Sequence, residues 1–96
     1  MRGPEAKIQD SFLKWAKGKG FKVIKYNATG FGSTGIPDAI LLANGLWILC
    51  EFKATKNSKK RPGQQEWIDF AQENSFGFFI YKENVDEVKK IIEDLL

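Results

Sequence analysis

The sequence contains no histidine and only one cysteine among its 96 residues. Catalytic triads built on histidine, histidine zinc sites and imidazole bases are therefore excluded, and so are intramolecular disulfides and cysteine metal clusters. The single cysteine, Cys50, lies in the middle of an apolar stretch, where a buried thiol is expected. Any metal ion bound by this chain would thus have oxygen ligands, which favours a hard cation such as Mg²⁺ or Mn²⁺.

Long apolar runs are also missing. No stretch approaches the roughly 18 residues that span a bilayer, and the opening Met-Arg-Gly-Pro-Glu has no apolar signal region. We therefore expect an intracellular protein that is neither secreted nor bound to a membrane. The hydrophobic fraction of 43%, with eight phenylalanines, three tryptophans and two tyrosines, is enough for one folded domain over residues 1–96.

The net charge of +3 hides an uneven distribution. Residues 1–61 carry 12 lysines and arginines against 4 acids, whereas residues 62–96 carry 3 basic residues against 8 acids. The first part is therefore strongly basic, and a polyanion such as a nucleic acid is its natural partner.

Two strand-type runs meet at Asn44-Gly45. This dipeptide tolerates a positive φ at both positions and favours a two-residue type I′ hairpin turn. The turn sets a register in which Asp38 lies opposite Glu51. Because side chains alternate along a strand, Lys53 is expected on the same face as both acids.

The acids sit at the end of a hairpin that is otherwise apolar on both faces. Such a strand pair is expected at the centre of a sheet that is covered on both sides. Carboxylates directly opposite each other repel, and ionised groups beside a core are costly unless they are paired or bind a metal. The pattern therefore predicts a positive charge between the two acids.

The rest of the chain has the periodicity of three helices and two further strands. In chain order the predicted elements are a helix from Pro4 to the glycines at 18 and 20, a strand over 21–26, a glycine-rich loop over 27–34, the hairpin, a helix opened by Pro62, a strand over 77–81 and a helix capped by Asn84 with Glu87. The order α-β-β-β-α-β-α predicts an α/β fold with a central mixed sheet flanked by helices. The last strand is expected to run parallel to a central strand, since a helical crossover precedes it.

Two polar residues on the predicted helices have more than one interpretation. Glu5 falls in a first helical turn, where the helix dipole favours an acid, or it supplies a third carboxylate to the hairpin acids. Gln64 shares the sheet-facing side of its helix with Trp67, Ile68 and Ala71. A buried amide needs hydrogen-bond partners, so we expect Gln64 to reach the charged end of the hairpin.

Two loop segments complete the set of candidate features. The basic loop contains Lys56, Lys59, Lys60 and Arg61 and is either a solvated loop or a phosphate contact. Residues 30–35 formally match GxGxxG, but a strand follows them instead of the helix that dinucleotide binding requires. We therefore expect no nucleotide cofactor.

Pro37-Asp38, an apolar hairpin and Glu51-Phe52-Lys53 together resemble the signature of the PD-(D/E)xK nuclease superfamily. The chain resembles the VRR-NUC group in particular, through Glu5 with Gln9 in a leading helix, Thr34-Gly35-Ile36-Pro37-Asp38, Glu51-Phe52-Lys53, a polar basic loop, and Gln64 with Trp67 at the opening of the next helix. This resemblance covers essentially the whole length. Two departures are the lysines of the basic loop, where the group more often has an acid followed by arginine, and Phe52, where valine is usual.

The resemblance implies a restriction-endonuclease-like core and a DNA endonuclease that depends on Mg²⁺ or Mn²⁺. Asp38, Glu51 and the backbone carbonyl of Phe52 would bind the metal, with Glu5 as a further ligand, directly or through water. Lys53 would orient the attacking water or stabilise the reacting phosphate. The last implied catalytic residue, Gln64, would hold a water or the Lys53 amine.

The predicted DNA contacts are to backbone phosphates, and the residues expected to make them are Lys25, Asn27, Ser33, Thr34, Lys56, Lys59, Lys60 and Arg61. No base-reading motif is visible, so we expect recognition of DNA shape more than of sequence. Stand-alone members of the group resemble homodimeric Holliday-junction resolvases. A four-way junction is two-fold symmetric and its symmetric cleavage needs two sites, so we expect a homodimer acting in recombination or repair, in the cytoplasm of a prokaryote or of a phage-infected cell.

Two other functions are compatible with the sequence. One is a nuclease of flap, fork or restriction type. The other is a non-catalytic nucleic-acid-binding module in which Asp38, Glu51 and Lys53 form a structural ion cluster.

Overall fold

Three helices and four strands follow one another in the predicted order α-β-β-β-α-β-α. The computed structural model describes residues 3–26 and 35–96. The elements are α1 (Pro4–Gly18), β1 (Lys22–Lys25), β2 (Ala39–Ala43), β3 (Leu46–Phe52), α2 (Gln64–Asn74), β4 (Phe76–Ile80) and α3 (Val85–Leu95). None of the described helices combines the length and the apolar character needed to cross a bilayer.

The hairpin of β2 and β3 has the register that its turn residues predict. The Cα partners run from Ala43 opposite Leu46 to Ala39 opposite Cys50. Asn44 has a φ of 52° and Gly45 a φ of 78°, the two positive values that a type I′ turn requires.

The four strands form one sheet in the order β1-β2-β3-β4. β1 is antiparallel to β2, and β4 is parallel to β3, to which it returns through α2. The predicted mixed sheet with a parallel crossover strand is therefore confirmed.

One face of the sheet carries the hydrophobic core. Leu41, Ile48 and Cys50 on this face are fully buried against α1 and α3. The ring of Phe12 in α1 lies 5.6 Å from the ring of Phe52, in edge-to-face geometry. This contact fixes α1 beside the acidic end of the hairpin.

The described residues cover the other face only in part, whereas the sequence predicted a sheet buried on both sides. α2 packs tightly on β4, since a Cβ on Gly77 would lie 2.7 Å from the Cβ of Ala71. On the same face, however, Trp47 is 55% exposed and Ile24 is 49% exposed. The reason is that α2 is the one described helix on this face and it lies over β3 and β4.

One predicted helix start was wrong: α2 begins at Gln64 instead of Pro62, because Gly63 has a φ of 85° and cannot continue a helix backwards. The predicted start of α3 is confirmed, since Asn84 is its N-cap residue, but the Asn84 side chain makes no capping hydrogen bond. It accepts a hydrogen bond from the Tyr81 amide and donates one to the Phe79 carbonyl, so it ties the end of β4 to the following turn.

The segment before β2 is fitted closely against the start of α2. Gly35 has a φ of 83°, and a Cβ at this position would lie 2.6 Å from the amide nitrogen of Gln64 and 2.7 Å from the carbonyl oxygen of Gly63. Because these neighbours are backbone atoms, they cannot move aside cheaply. Only glycine fits here, and this close approach positions the chain leading to Asp38.

We predict that Gly35→Ala lowers the free energy of unfolding by about 1–3 kcal/mol more than Gly45→Ala does, measured by urea denaturation. The two glycines have similar positive φ values, but a Cβ on Gly45 would meet nothing within 4 Å. The difference between the variants therefore isolates the steric clash from the backbone strain. Equal losses would show that residue 35 is not held against α2.

Candidate functional site

Three carboxylates from separate parts of the chain meet at one end of the sheet. Glu5 comes from the first turn of α1, Asp38 precedes β2, and Glu51 lies near the end of β3. One oxygen from each lies within 4.8 Å of the others. Glu5 is exposed, Asp38 is half-buried and Glu51 is buried, so the cluster opens to solvent on one side.

Asp38 is held by hydrogen bonds on both sides although it lies just outside β2. Its backbone carbonyl accepts from the Tyr26 amide at 2.9 Å, and its Oδ2 accepts from the Phe52 amide at 2.9 Å. The side chain thus takes the place of a strand partner for Phe52. This arrangement explains why the carboxylate turns toward the next strand and meets Glu51.

The Glu51 carboxylate is 1% exposed, and its two oxygens differ in the contacts that they make. Its Oε2 accepts a hydrogen bond from Nε2 of Gln64 at 2.9 Å and lies 3.9 Å from Nζ of Lys53. Its Oε1 is buried and receives no hydrogen bond from any residue in the described ranges. A buried oxygen left without a donor is costly and marks a position that a cation would satisfy.

Gln64 connects the basic loop to this carboxylate. Its Oε1 accepts from the Arg61 amide at 2.8 Å while its Nε2 donates to Glu51, so both ends of the amide are used. The predicted reach of Gln64 toward the charged end of the hairpin is thus seen in the structure. Its partner there is Glu51 itself, and not the Lys53 amine that we expected as one alternative.

The pKa of Glu51 is raised from an ordinary 4.5 to about 8, and burial of the carboxyl group is the largest cause. The negative charge of Asp38 and a side-chain hydrogen bond with it also raise this pKa, whereas the charges of Lys53 and Arg61 lower it. The sequence predicted the repulsion between the two acids, but the larger cause is loss of hydration. Without a cation, Glu51 therefore favours its protonated form at neutral pH.

Cys50 lies next to this acid in sequence but on the opposite face of the sheet. It is fully buried, and burial followed by the charge of Asp38 raises the pKa of its thiol far above the ordinary range. A thiol in such a place is a poor nucleophile and a poor metal ligand. The prediction of a buried core cysteine is confirmed.

The donor set suits a hard divalent cation. Glu5, Asp38 and Glu51 offer carboxylate oxygens, which Mg²⁺ and Mn²⁺ prefer. One of these oxygens, Oε1 of Glu51, accepts no hydrogen bond from the described residues and is therefore free to bind a cation. The carbonyl of Phe52 follows the amide that bonds to Asp38 and stays a predicted ligand. The residues present therefore fit the metal that the sequence suggests.

Four of the predicted phosphate-binding residues lie on the basic loop that leads to Gln64, and their side chains differ in the contacts that they make. Lys56, Lys59 and Arg61 are exposed. Lys60 donates from Nζ to Oε1 of Gln65 at 2.9 Å and lies 4.4 Å from the centre of the Phe79 ring, so its amine already has partners. The Lys56 amide donates to Oε1 of Glu83 at 3.1 Å, which anchors the loop.

Of the other predicted DNA contacts, the structure describes Lys25. Lys25 is exposed at the end of β1, on the face opposite the acids, paired with Ala39. Asn27, Ser33 and Thr34, together with the whole glycine-rich loop over 27–34, lie outside the described residues. Their predicted roles stay predictions.

Sequence reasoning missed two contributors to the site. Arg61 was considered only as a phosphate contact, yet its amide fixes Gln64 and its charge acts on Glu51. Gly35 and Gly63 were not recognised as a packed pair that brings Asp38 and Gln64 together. The only signal in the sequence was a glycine three residues before Asp38 and another directly before Gln64.

Known proteins resemble this chain in structure and not in sequence. No family model and no curated protein matches it. Among solved structures, one described as "VRR_NUC domain" aligns with a TM-score of 0.74 and 22% identity over 93% of this chain and 97% of its own. Another, described as "VRR_NUC domain protein", aligns with a TM-score of 0.69 and 21% identity over 98% of this chain and 89% of its own. The chain therefore has the fold of VRR-NUC domains, as its sequence motifs predict.

We predict that the metal-free protein loses stability as the pH rises from about 4.5 to about 8. In this window the folded protein keeps a proton on Glu51 that the unfolded chain has released, so the slope of stability against pH is negative. Urea denaturation in EDTA at several pH values measures this slope. Glu51→Gln should flatten it, because the amide resembles the protonated acid.

The matched control for this prediction is Asp86→Asn, which removes an exposed acid in the first turn of α3. This variant should keep the slope of the wild-type protein. A Glu51→Gln protein with the wild-type slope would mean that Glu51 titrates normally.

Proposed function

We propose that this chain, with its VRR-NUC fold, is a divalent-metal-dependent endonuclease that hydrolyses phosphodiester bonds in DNA, with residues 1–96 acting as one nuclease domain. The observation that carries the proposal is the meeting of the carboxylates of Glu5, Asp38 and Glu51 next to Lys53, with one buried Glu51 oxygen that receives no hydrogen bond within the described residues. A purely structural ion cluster is expected to pair its buried oxygens. This favours catalysis over the alternative of a non-catalytic binding module.

The proposed metal ligands are Glu5, Asp38, Glu51 and the backbone carbonyl of Phe52. A bound Mg²⁺ or Mn²⁺ supplies an acidified water and a positive charge beside the scissile phosphate. The exposure of Glu5 leaves the open side of the cluster accessible to solvent and to DNA. Glu51, at the closed side, is deprotonated when a cation occupies the site, since metal binding displaces its proton.

Lys53 and Gln64 act on the charged groups around the phosphate. The Lys53 amine is buried and 3.9 Å from one oxygen of Glu51, which leaves N–H groups for a phosphate oxygen or for the attacking water. Gln64 keeps Glu51 in one orientation, because its own amide is fixed at both ends. It is a positioning residue for the carboxylate in this mechanism.

DNA is held through its phosphates in this proposal. Lys56, Lys59 and Arg61 are exposed along the loop that leads to Gln64, so their side chains are accessible to a phosphate backbone. Lys60 contributes charge from a fixed position, and the remaining proposed contacts are Lys25, Asn27, Ser33 and Thr34.

The proposed substrate is branched DNA, with a four-way junction as the first candidate. One chain carries one acidic site, and the symmetric cleavage of a two-fold junction needs two. We therefore propose that the active form is a homodimer. If the protein cleaves flapped, forked or linear DNA in preference to junctions, the proposed substrate is wrong and the proposed nuclease activity still stands.

Asp38→Asn and Glu51→Gln are each expected to reduce cleavage at least a hundredfold while DNA binding stays within a few fold, because each removes a charged metal ligand and keeps the side-chain shape. The assay uses labelled four-way, flapped, forked and linear DNA with Mg²⁺, Mn²⁺ or EDTA, and a gel-shift measurement of binding. Asp86→Asn, outside the cluster, should cut like the wild-type protein. Nicking at a wild-type rate by either cluster variant would refute the site.

Binding is expected to weaken steeply with salt. Each neutralised phosphate contributes about 0.9 to the slope of log K against log salt concentration. Lys59→Ala should lower this slope by about one, whereas Lys90→Ala, an exposed lysine of α3, should leave it unchanged. Titrations by fluorescence anisotropy between about 50 and 200 mM salt measure both slopes. A slope near zero for the wild-type protein would show that the basic loop does not bind DNA phosphates.

A further inference from the structure

No helix or loop of the described residues covers half of one sheet face. α2 runs along this face from Gln64, bonded to Glu51 at the acidic end, to Ser75, bonded to the backbone of Trp47 at the turn end. It covers β3 and β4. The side chains that β1 and β2 place on the same face, Ile24, Ile40 and Leu42, are half-buried or exposed.

An apolar groove lies between this uncovered half and α2. It has a volume of about 350 Å³, and the side chains that line it include Ile40, Trp47, Leu49, Trp67 and Phe70. Trp47 is 55% exposed and Phe70 is 61% exposed. Adjacent exposed aromatic side chains of this size are typical of surfaces that bind another protein.

The charges at the two rims are opposite in sign. Lys22, which shares the face of Leu42, is exposed at the β1 rim near the hairpin turn. Glu66 and Glu73 are exposed on α2, and Glu73 lies at the turn end of that helix. These acids repel DNA and anionic lipid, so neither suits the groove. A protein surface with an apolar centre, one basic rim and one acidic rim does suit it.

We propose that a second copy of this chain covers this face, through a two-fold axis that runs parallel to the strands. Such an axis exchanges the left and right halves of the sheet face, so α2 of each copy lies over β1 and β2 of the other. Residue contacts in a two-fold interface are reciprocal. Lys22 of each copy therefore meets Glu73 of the other, and Phe70 packs on the partner's uncovered strands.

The direction of this axis has a consequence for the site. Rotation about a line parallel to the strands keeps the acidic end of both copies at the same end of the dimer. A two-fold axis across the strands would instead stack α2 on α2 and leave β1 and β2 uncovered. Both carboxylate clusters thus lie on one side of the dimer, where a single branched DNA can contact two sites. This consequence for DNA rests on the proposed function.

A charge exchange tests the proposed contact between the rims. Lys22→Glu and Glu73→Lys each place two pairs of like charges in the dimer interface. Each variant is therefore expected to raise the dissociation constant of the dimer about tenfold or more. The double variant Lys22→Glu/Glu73→Lys restores opposite charges and should recover dimerisation. Sedimentation equilibrium over a range of protein concentrations measures all four proteins. A double variant that dimerises no better than the single ones overturns the proposed pairing.

The apolar centre has its own test. Trp47→Ser and Phe70→Ser together should give a monomer at concentrations where the wild-type protein is a dimer, with an unchanged circular dichroism spectrum. Ile91→Ser, at an exposed position of α3 on the other side of the sheet, should remain a dimer. A wild-type protein that is monomeric at 100 µM, or a dimeric Trp47→Ser/Phe70→Ser protein, overturns the proposal.

The failure of this interface and that of the nuclease proposal give different results. Binding of Mn²⁺, followed by calorimetry, and nicking of DNA depend on the carboxylates and not on the groove. A monomeric wild-type protein that binds Mn²⁺ and nicks DNA overturns the interface alone. A dimer disrupted as described but without metal binding or cleavage supports the interface and overturns the nuclease.

Discussion

The burial of the Glu51 carboxylate is the constraint on which the rest of the site depends. A charged group that is 1% exposed must be satisfied from several directions, and three contacts of different kinds surround it: the amide of Gln64, the amine of Lys53 and the neighbouring acid Asp38. One of its oxygens still lacks a donor among the described residues. Burial of the ionised carboxylate therefore costs free energy, and Glu51 is stable in its protonated form or beside a cation.

The elements that meet around this acid are held by backbone contacts as much as by side chains. Asp38 takes a hydrogen bond from the Phe52 amide, and Gln64 takes one from the Arg61 amide. Gly35 lies against the backbone of Gly63 and Gln64, so the segment before β2 and the start of α2 cannot separate. Groups fixed in this way need little reorganisation during a reaction, which is how preorganised sites stabilise developing charge.

The two faces of the sheet have different roles: one packs against the hydrophobic core, and the other carries the candidate site. The face toward α1 and α3 holds most of the fully buried apolar side chains, including Leu41, Ile48 and Phe52. The face toward α2 holds the acids at one end and an apolar groove at the other. Because α2 covers only part of this face, the same strands that build the core also expose Trp47 beside Phe70. The partial cover is what makes both a site and an interface possible on one surface.

The sequence by itself determined the order of the elements, the hairpin register and the identity of the acids. Asn44-Gly45 sufficed for the register because a type I′ turn is a local property of two residues, and the VRR-NUC-like fold followed from the hairpin motif together with motifs in the helices on either side of it. The start of α2 and the bonds of Asn84 escaped prediction, since Gly63 and Asn84 take their conformations from neighbours that are close in space. Only the tertiary structure decided that Gln64 bonds to Glu51, that Gly35 packs on Gly63 and that the helices described here leave half of one sheet face uncovered. Burial and long-range packing depend on where α1 and α2 come to rest, and no local pattern of residues encodes that position.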